Sequence, residues 1–451
     1  VQSVLDSYWQ RSETGICSVW GMDQFLPMAE AAKVNAMLAH TLELDDVHTA
    51  SKTHGSASII PAAWACGEQL GSTGREFLLA TVCGYEVTAR IGMALGVTAH
   101  RKKGWHATAT CGVFGCAAAA AKLLGLTEDE TVSALGMAGT QSAGLWAFLG
   151  DGASCKVLHT AHAAACGLDA AFLAGAGMTG PEHILEAGDG GLLEAMSDCY
   201  DLSRVSAGLG DTWEIMNMDV KPYPCCRSAH CAVDCALALR DRVRTEEIAD
   251  ILIKTYRVGY RQCAVSEGCR NPRTPLEAKF STPYAVAAAF LNGKVTMDEF
   301  APGQVVRAEV RDLLHKVRVR EDEEFTREYP EHWGCSMEVK TADGRILRTA
   351  VSRESALAGA DRRQGGAFYR DSPPGPGAEG EAQHIGAARG RAAAKAVGRW
   401  SRERGGPPFL RRSWTDDRKR GRLSAAPSFT RVFIPVTSVR YFSGTISITK
   451  G

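Results

Sequence analysis

The chain has 451 residues, 45% of them apolar, with 51 basic and 51 acidic side chains, which is enough chain for two or three domains with real cores. Its 15 cysteines all fall between Cys17 and Cys335, mostly singly in Ala/Gly-rich stretches, which excludes a disulfide framework and points to small buried thiols in a reducing compartment. No apolar run of about 18 residues is free of charge: the nearest, Ala107–Leu126, contains Lys122, and Val1 opens a polar stretch with no leader pattern. A membrane span is therefore not expected, and the cytoplasm is the expected location.

Residues 1–215 read as helices joined by glycine turns. Thr73–Glu76 and Thr127–Glu130 fit the capping box, in which a hydroxyl and a carboxylate satisfy free amides at a helix start, and each leads into an apolar run. Pro181 suits a first helical position. Ala117–Ala121 and Ala161–Ala165 let helices pack closely, and no strand-like alternation appears. From about residue 216 the texture changes. Residues 230–241 read as a helix, Ile251–Val258 alternates as a strand, and Pro283–Leu291 is helical again. Thr296–Glu299 is a third capping box, Val317–Arg320 alternates, and Met337–Val351 reads as a hairpin about Asp343-Gly344. The expectation is a mainly α protein: an all-helical domain over 1–215, a smaller α+β lid over 216–351, and an irregular end over 352–451.

That end is a different material. From Ser352 onward there are 19 Lys and Arg against 8 Asp and Glu, a net of +11, so the zero total leaves −11 on residues 1–351. Pro-Gly runs such as Pro373–Gly377 break any period before Thr430–Ile448. A basic disordered tail is one reading, and translation in the wrong frame from near residue 352 is the other. Nucleic-acid binding is not expected, because neither a binding motif nor an aromatic stacking pattern accompanies the arginines.

Five segments carry residues suited to chemistry. His40-Thr-Leu-Glu43-Leu-Asp45-Asp46-Val-His48 and the following Lys52-Thr-His54 place three acids and three histidines within fifteen residues. His40 and Glu43, three apart, would share a helix face; a solvated helix end is the plain alternative, and the histidines lack a compact metal spacing. In Lys102-Lys-Gly-Trp-His106-Ala-Thr-Ala-Thr110 a histidine stands at the mouth of a small-residue helix, a place for an acid or base or simply for a packed imidazole. Gly150-Asp-Gly-Ala-Ser-Cys-Lys156-Val-Leu-His159 fails as a phosphate loop, because Lys156 is followed by Val157. Lys156 and His159 share a helix face, and the lysine is either solvated or aimed into a pocket. In Lys221-Pro-Tyr-Pro-Cys225-Cys226-Arg227-Ser-Ala-His230 two prolines stiffen the loop. Zinc is set aside there, since adjacent cysteines cannot easily share one ion and no Cys-x-x-Cys exists. Last, Lys279-Phe-Ser-Thr-Pro-Tyr284 opens a helix.

Taken in order, HTLELDD, THGSASIIPAA, GWHATAT, ALGMAGTQSAGL, KPYPCCRSAH and AKFSTPYAV resemble the MmgE/PrpD family over residues 15–350. The family includes 2-methylcitrate dehydratase, cis-aconitate decarboxylase and iminodisuccinate epimerase. The resemblance implies a helical domain with an α+β lid, a homodimer, and no metal or organic cofactor. It places pocket residues on His54, His106, Lys156, Lys221 and Tyr284, with Glu43 where several members have Asp and Cys226 where some have His. Asp46, His159 and His230 complete the expected substrate contacts. It also implies helices before Val1 and after 352 that this chain lacks, so an incomplete, inactive copy is an alternative reading.

The implied task is to loosen a bond at the carbon beside a carboxylate in a small di- or tricarboxylic acid. On a body of net −11, local cations must hold such a substrate. The expectation is a lyase, dehydratase or decarboxylase, with an epimerase as the alternative. His106 or His54 moves the proton, Lys156 and Lys221 hold carboxylates, and Tyr284 donates a hydrogen bond.

Overall fold

A computed structural model describes residues 2–330, 332–351, and the backbone of 439–442 and 445–448; all of these lie in one compact unit made of 1–359 and 435–451. The rest of the arginine-rich end lies outside the described residues. The two described segments of that end, Val439–Phe442 and Thr445–Ile448, pair as antiparallel strands.

The protein is mainly helical. Its first half is built from α1 (Gln2–Arg11), α2 (Met28–Thr41), α3 (Ile59–Leu70), α4 (Gly74–Ala94), α5 (Val97–Lys102), α6 (Ala107–Leu124), α7 (Glu128–Thr140) and α8 (Val157–Gly175). Both capping boxes form, Thr73 with Glu76 and Thr127 with Glu130. Helix α6 runs through the centre, with every residue from Ala107 to Ala121 buried. It fits there because its neighbours touch backbone to backbone. A Cβ added to Gly115 would stand 1.9 Å from Thr88 Oγ1 and 2.5 Å from the Gly84 carbonyl of α4. A Cβ on Gly167 of α8 would stand 2.4 Å from Cys116 Cβ. Glycine costs a helix about 1 kcal/mol relative to alanine, and here close contact offsets that cost. Among the described residues three helices, Gly74–Ala94, Ala107–Leu124 and Ser154–Gly175, have the length and hydropathy to cross a bilayer, but 83% of the α6 window is buried inside the protein.

Two expectations for this half change. Pro181 opens a series of turns, not a helix. Its backbone is laid flat on α7 at Gly136, where an added Cβ would come within 2.4 Å of the Pro181 carbonyl. Short strand pairs also occur. Cys17–Ser18 pairs with Phe25–Leu26, and β1 (Val47–His48) pairs with β2 (Met218–Asp219) in the register Val47↔Asp219.

The second core is separate from the first. It comprises α9 (His230–Arg240), β3 (Ile248–Thr255), α10 (Arg257–Cys263), α11 (Pro275–Lys279), α12 (Thr282–Asn292), β4 (Val317–Glu321), β5 (Cys335–Thr341) and β6 (Ile346–Val351). The sheet order is β4-β3-β5-β6, with β3 and β4 parallel and the other pairs antiparallel. Cys335, Met337, Val339 and Thr341 are buried on one face of β5, as a period of two requires, and share a core with α9 and α12. Gly344, at φ 90°, makes the expected hairpin turn. The strand at 251 ends earlier than its alternation suggested, because Tyr256 caps α10. The third box, Thr296 with Glu299, leads only into the short turn Asp298–Phe300. All 15 cysteines are free.

Candidate active site

Helix α2 ends at Thr41, and two residues later Glu43 turns into the left-handed region with φ 55°. That is the position after a helix where glycine is usual, so the carboxylate is held there against a backbone cost. The turn also takes Glu43 off the helix face it was expected to share with His40. The carbonyls of Thr41 and Leu42, left open at the helix end, accept bonds of 3.0 Å each from Lys279 Nζ, a cation at the negative pole of the helix. The β1–β2 bridge then lays residues 47–48 beside 218–219 and so delivers Lys221.

The result is a buried chain of charges. Lys156 Nζ donates to Glu43 Oε1, and Lys221 Nζ lies 3.2 Å from Glu43 Oε2 and 3.3 Å from Asp45 Oδ1. The other Asp45 oxygen lies 2.7 Å from His40 Nδ1 and 3.2 Å from His54 Nδ1. Burial alone would push both carboxyls up. The lysines, and His40 beside Asp45, outweigh burial and hold Glu43 and Asp45 well below the usual carboxylate range. For Lys221 burial pulls down, but Asp45 and Glu43 overcome it and raise the ammonium above its ordinary value.

Three histidines border this network. His54 Nδ1 lies 2.7 Å from the Asp46 carbonyl. Donation there leaves Nε2 as the basic nitrogen. Burial first, then Lys221 and Lys156, hold His54 down to about 3 against the pull of Asp45. His106 begins α6, its amide bonded to the Gly144 carbonyl at 3.0 Å. Gly144 has φ 114°, and a Cβ there would come within 2.8 Å of Ala109 Cβ. His106 Nδ1 meets His159 Nδ1 at 2.9 Å, and Trp146 stands edge-on to the His106 ring at 4.9 Å. Burial, then Lys156, depresses His106 strongly, and burial brings His159 to about 4. Both imidazoles are thus neutral at pH 7.

These groups open on a cleft of about 720 Å³ lined by Glu43, His54, His106, Lys156, Lys221 and Cys226. Of the remaining expected residues, Asp46 stands behind the wall: it accepts from Tyr85 OH at 2.7 Å and from the Ser56 amide at 3.0 Å while its carbonyl fixes His54. His159 reaches the cleft only through His106. Two expectations are corrected. Tyr284 is fully buried in the second core against Phe300, its phenol donating to the Glu299 carbonyl, and it does not line the cleft. His230 is buried beneath the wall, with Nε2 3.3 Å from the Cys225 carbonyl and Tyr223 edge-on to its ring. Cys226 is the thiol at the wall, lowered to about 7 chiefly by a hydrogen bond from Cys263.

Several cleft residues had no sequence signal, namely Arg101, Trp146, Tyr329 and Trp333, while Lys52 and Arg227 stood in the motifs without being assigned a role. Lys52 lies over the Trp333 ring at 3.3 Å and takes the left-handed φ of 58°. Asp45 was visible in its motif without being assigned a role, and His40 was read only as sharing a helix face with Glu43. No group of three or more His, Cys, Asp or Glu among the described residues has a metal-holding arrangement. A larger groove of about 980 Å³ lies between α4 and α7; its Glu86 and Arg90 are paired with each other at 3.1 Å.

A helical body and an α+β lid meeting on a charged, histidine-lined cleft have the build of an enzyme. Residues 1–204 match the MmgE/PrpD N-terminal domain and residues 223–356 the MmgE/PrpD C-terminal domain. The chain belongs to the MmgE/PrpD family. It is 30% identical over 359 residues to the cis-aconitate decarboxylase-like protein oryM of Aspergillus oryzae, covering 75% of this chain and 74% of that protein. It is 30% identical over 332 residues to cis-aconitate decarboxylase of Aspergillus terreus (69% and 67%), and 32% identical over 320 residues to that of Mus musculus (67% and 63%). At this coarse level the chain is an enzyme of the lyase type.

Proposed function

We propose that the chain is a decarboxylating lyase for an unsaturated di- or tricarboxylic acid of the cis-aconitate kind. The observation that supports this best is the cleft itself, where lysines, guanidinium groups and neutral imidazoles face one space. The names of the relatives point the same way.

Loss of carbon dioxide breaks a carbon–carbon bond and leaves its electron pair on the substrate, conjugated with the double bond. A proton must then reach carbon, so the departing group is replaced by one hydrogen. Fixed positive charge stabilises the electron-rich state. Lys156 and Lys221 supply it, together with the N-termini of α6 and α8, whose N-cap residues are His106 and Lys156. His54 carries the proton on Nε2. Before substrate binds the ring is neutral, but substrate carboxylates nearby favour the imidazolium, so binding itself arms the acid. His106 and the half-buried His159 form a path by which a proton is replaced from the surface.

The test is incubation of the full chain with cis-aconitate, 2-methylcitrate and iminodisuccinate, with products read by NMR. Carbon dioxide release from cis-aconitate, lost about 100-fold or more in His54→Gln, is the expected result. Water loss from 2-methylcitrate alone, or epimerisation of iminodisuccinate alone, would replace this reading.

A further inference from the structure

Lys156 and Lys221 are not idle: Glu43 and Asp45 already balance them. The guanidinium groups of Arg101 and Arg227 are different. Arg101, in the last turn of α5, lies over the Trp146 ring at 4.4 Å. Arg227, only 8% exposed, lies 5.2 Å over the Trp333 ring, and its Nη1 has no hydrogen-bond partner. Neither forms an ion pair among the described residues, while the carboxylates of the cleft wall are spent on the lysines. Two positive charges therefore face the cleft with no carboxylate in ion-pair contact, Asp234 acting on Arg227 only at longer range. A buried, unpaired charge is costly, and a planar fork suits a carboxylate.

We infer that Arg101 and Arg227 form a second anion subsite that binds a substrate carboxylate remote from the reacting carbon. The aromatic faces of Trp146 and Trp333 hold the guanidinium groups in place without neutralising them. The subsite thus selects acids with two or three carboxylates over monocarboxylates. This rests on the reading of the cleft as a carboxylic-acid site, but it concerns binding, not the reaction that follows.

The experiment uses the full chain and an inert tricarboxylate, propane-1,2,3-tricarboxylate, titrated calorimetrically at two salt concentrations, with butyrate as the monocarboxylate. Arg101→Gln and Arg227→Gln each weaken the tricarboxylate tenfold or more and reduce the salt dependence. Arg227→Lys recovers part of the loss, and the exposed Arg204→Gln binds as wild type. Circular dichroism confirms that each variant is folded; should Arg227→Gln fail, Arg227→Lys and Arg101→Gln still carry the test. Folded arginine variants that bind the tricarboxylate like wild type overturn the subsite. Arginine-dependent binding in a protein that decarboxylates none of the acids would leave the subsite standing and remove the proposed reaction instead.

Discussion

Replacing Glu43 with glutamine removes one negative charge from a site that contains two lysines and Asp45. A charge pair at 3.2 Å carries about 5 kcal/mol of attraction at an effective dielectric near 20. Desolvation offsets much of that when the whole pair is present, but breaking a buried pair from one side typically costs about 3–5 kcal/mol. Because the cleft admits water, the lower end applies, about 3 kcal/mol. Chemical denaturation followed by far-ultraviolet circular dichroism should show the midpoint falling at pH 7. The pH dependence supplies the sharper check. The folded-state value of Glu43 is depressed, so its contribution is fully present above the unfolded value and disappears as pH falls toward the folded one. The gap between wild type and Glu43→Gln should be constant above about pH 5 and shrink below about pH 4. A variant as stable as wild type at pH 7, or a gap that persists unchanged in acid, would refute the claim that this carboxylate balances the lysines.

Three further outcomes follow from other contacts. His159→Phe should slow turnover about tenfold without abolishing it, because it removes the surface end of the proton path and leaves His106 in place; rescue by added imidazole in a rate assay distinguishes this from misfolding. Cys226 should be alkylated by iodoacetamide at a rate that rises through about pH 7, and propane-1,2,3-tricarboxylate should protect it, while the exposed Cys155 and Cys199 react regardless of ligand; peptide mass mapping reads both. Gly115→Ala should cost about 1–3 kcal/mol by overpacking the α4–α6 crossing, read as a lower unfolding midpoint.

What was legible in the sequence was local. The boxes at Thr73 and Thr127 depend on residues three apart, and the Asp343-Gly344 turn on two neighbours, so both could be seen without the fold. The family resemblance carried by the short motifs also placed His54, His106, Lys156 and Lys221 at one pocket, and the four do line one cleft. The failures were long-range. Tyr284 opens its helix as expected, yet its phenol is taken by Glu299, a partner that only the packing of the second core brings near. Arg101 and Trp333 belong to different halves of the chain, and no spacing in the sequence connects them. The pairing of β3 with β4, whose partners Ile251 and Val317 are 66 residues apart, is likewise decided by packing.

The segment from Glu43 to His54 joins these levels, and its backbone can be tested apart from its charges. Two of its residues, Glu43 and Lys52, hold left-handed φ values of 55° and 58°, which cost a residue with a Cβ about 1–2 kcal/mol. Glu43→Ala and Glu43→Gly both delete the carboxylate and leave the lysines with Asp45 alone. They differ in the backbone: glycine accepts φ 55° without steric penalty, although its unfolded chain gains entropy. If the fold around it, the β1–β2 bridge included, imposes this conformation even without the carboxylate, Glu43→Gly should be more stable than Glu43→Ala by about 1 kcal/mol, and neither should reach wild type. Equal midpoints for the two variants would mean that the turn relaxes once the carboxylate is gone. The network would then be creating the left-handed conformation, not exploiting one the fold already imposes.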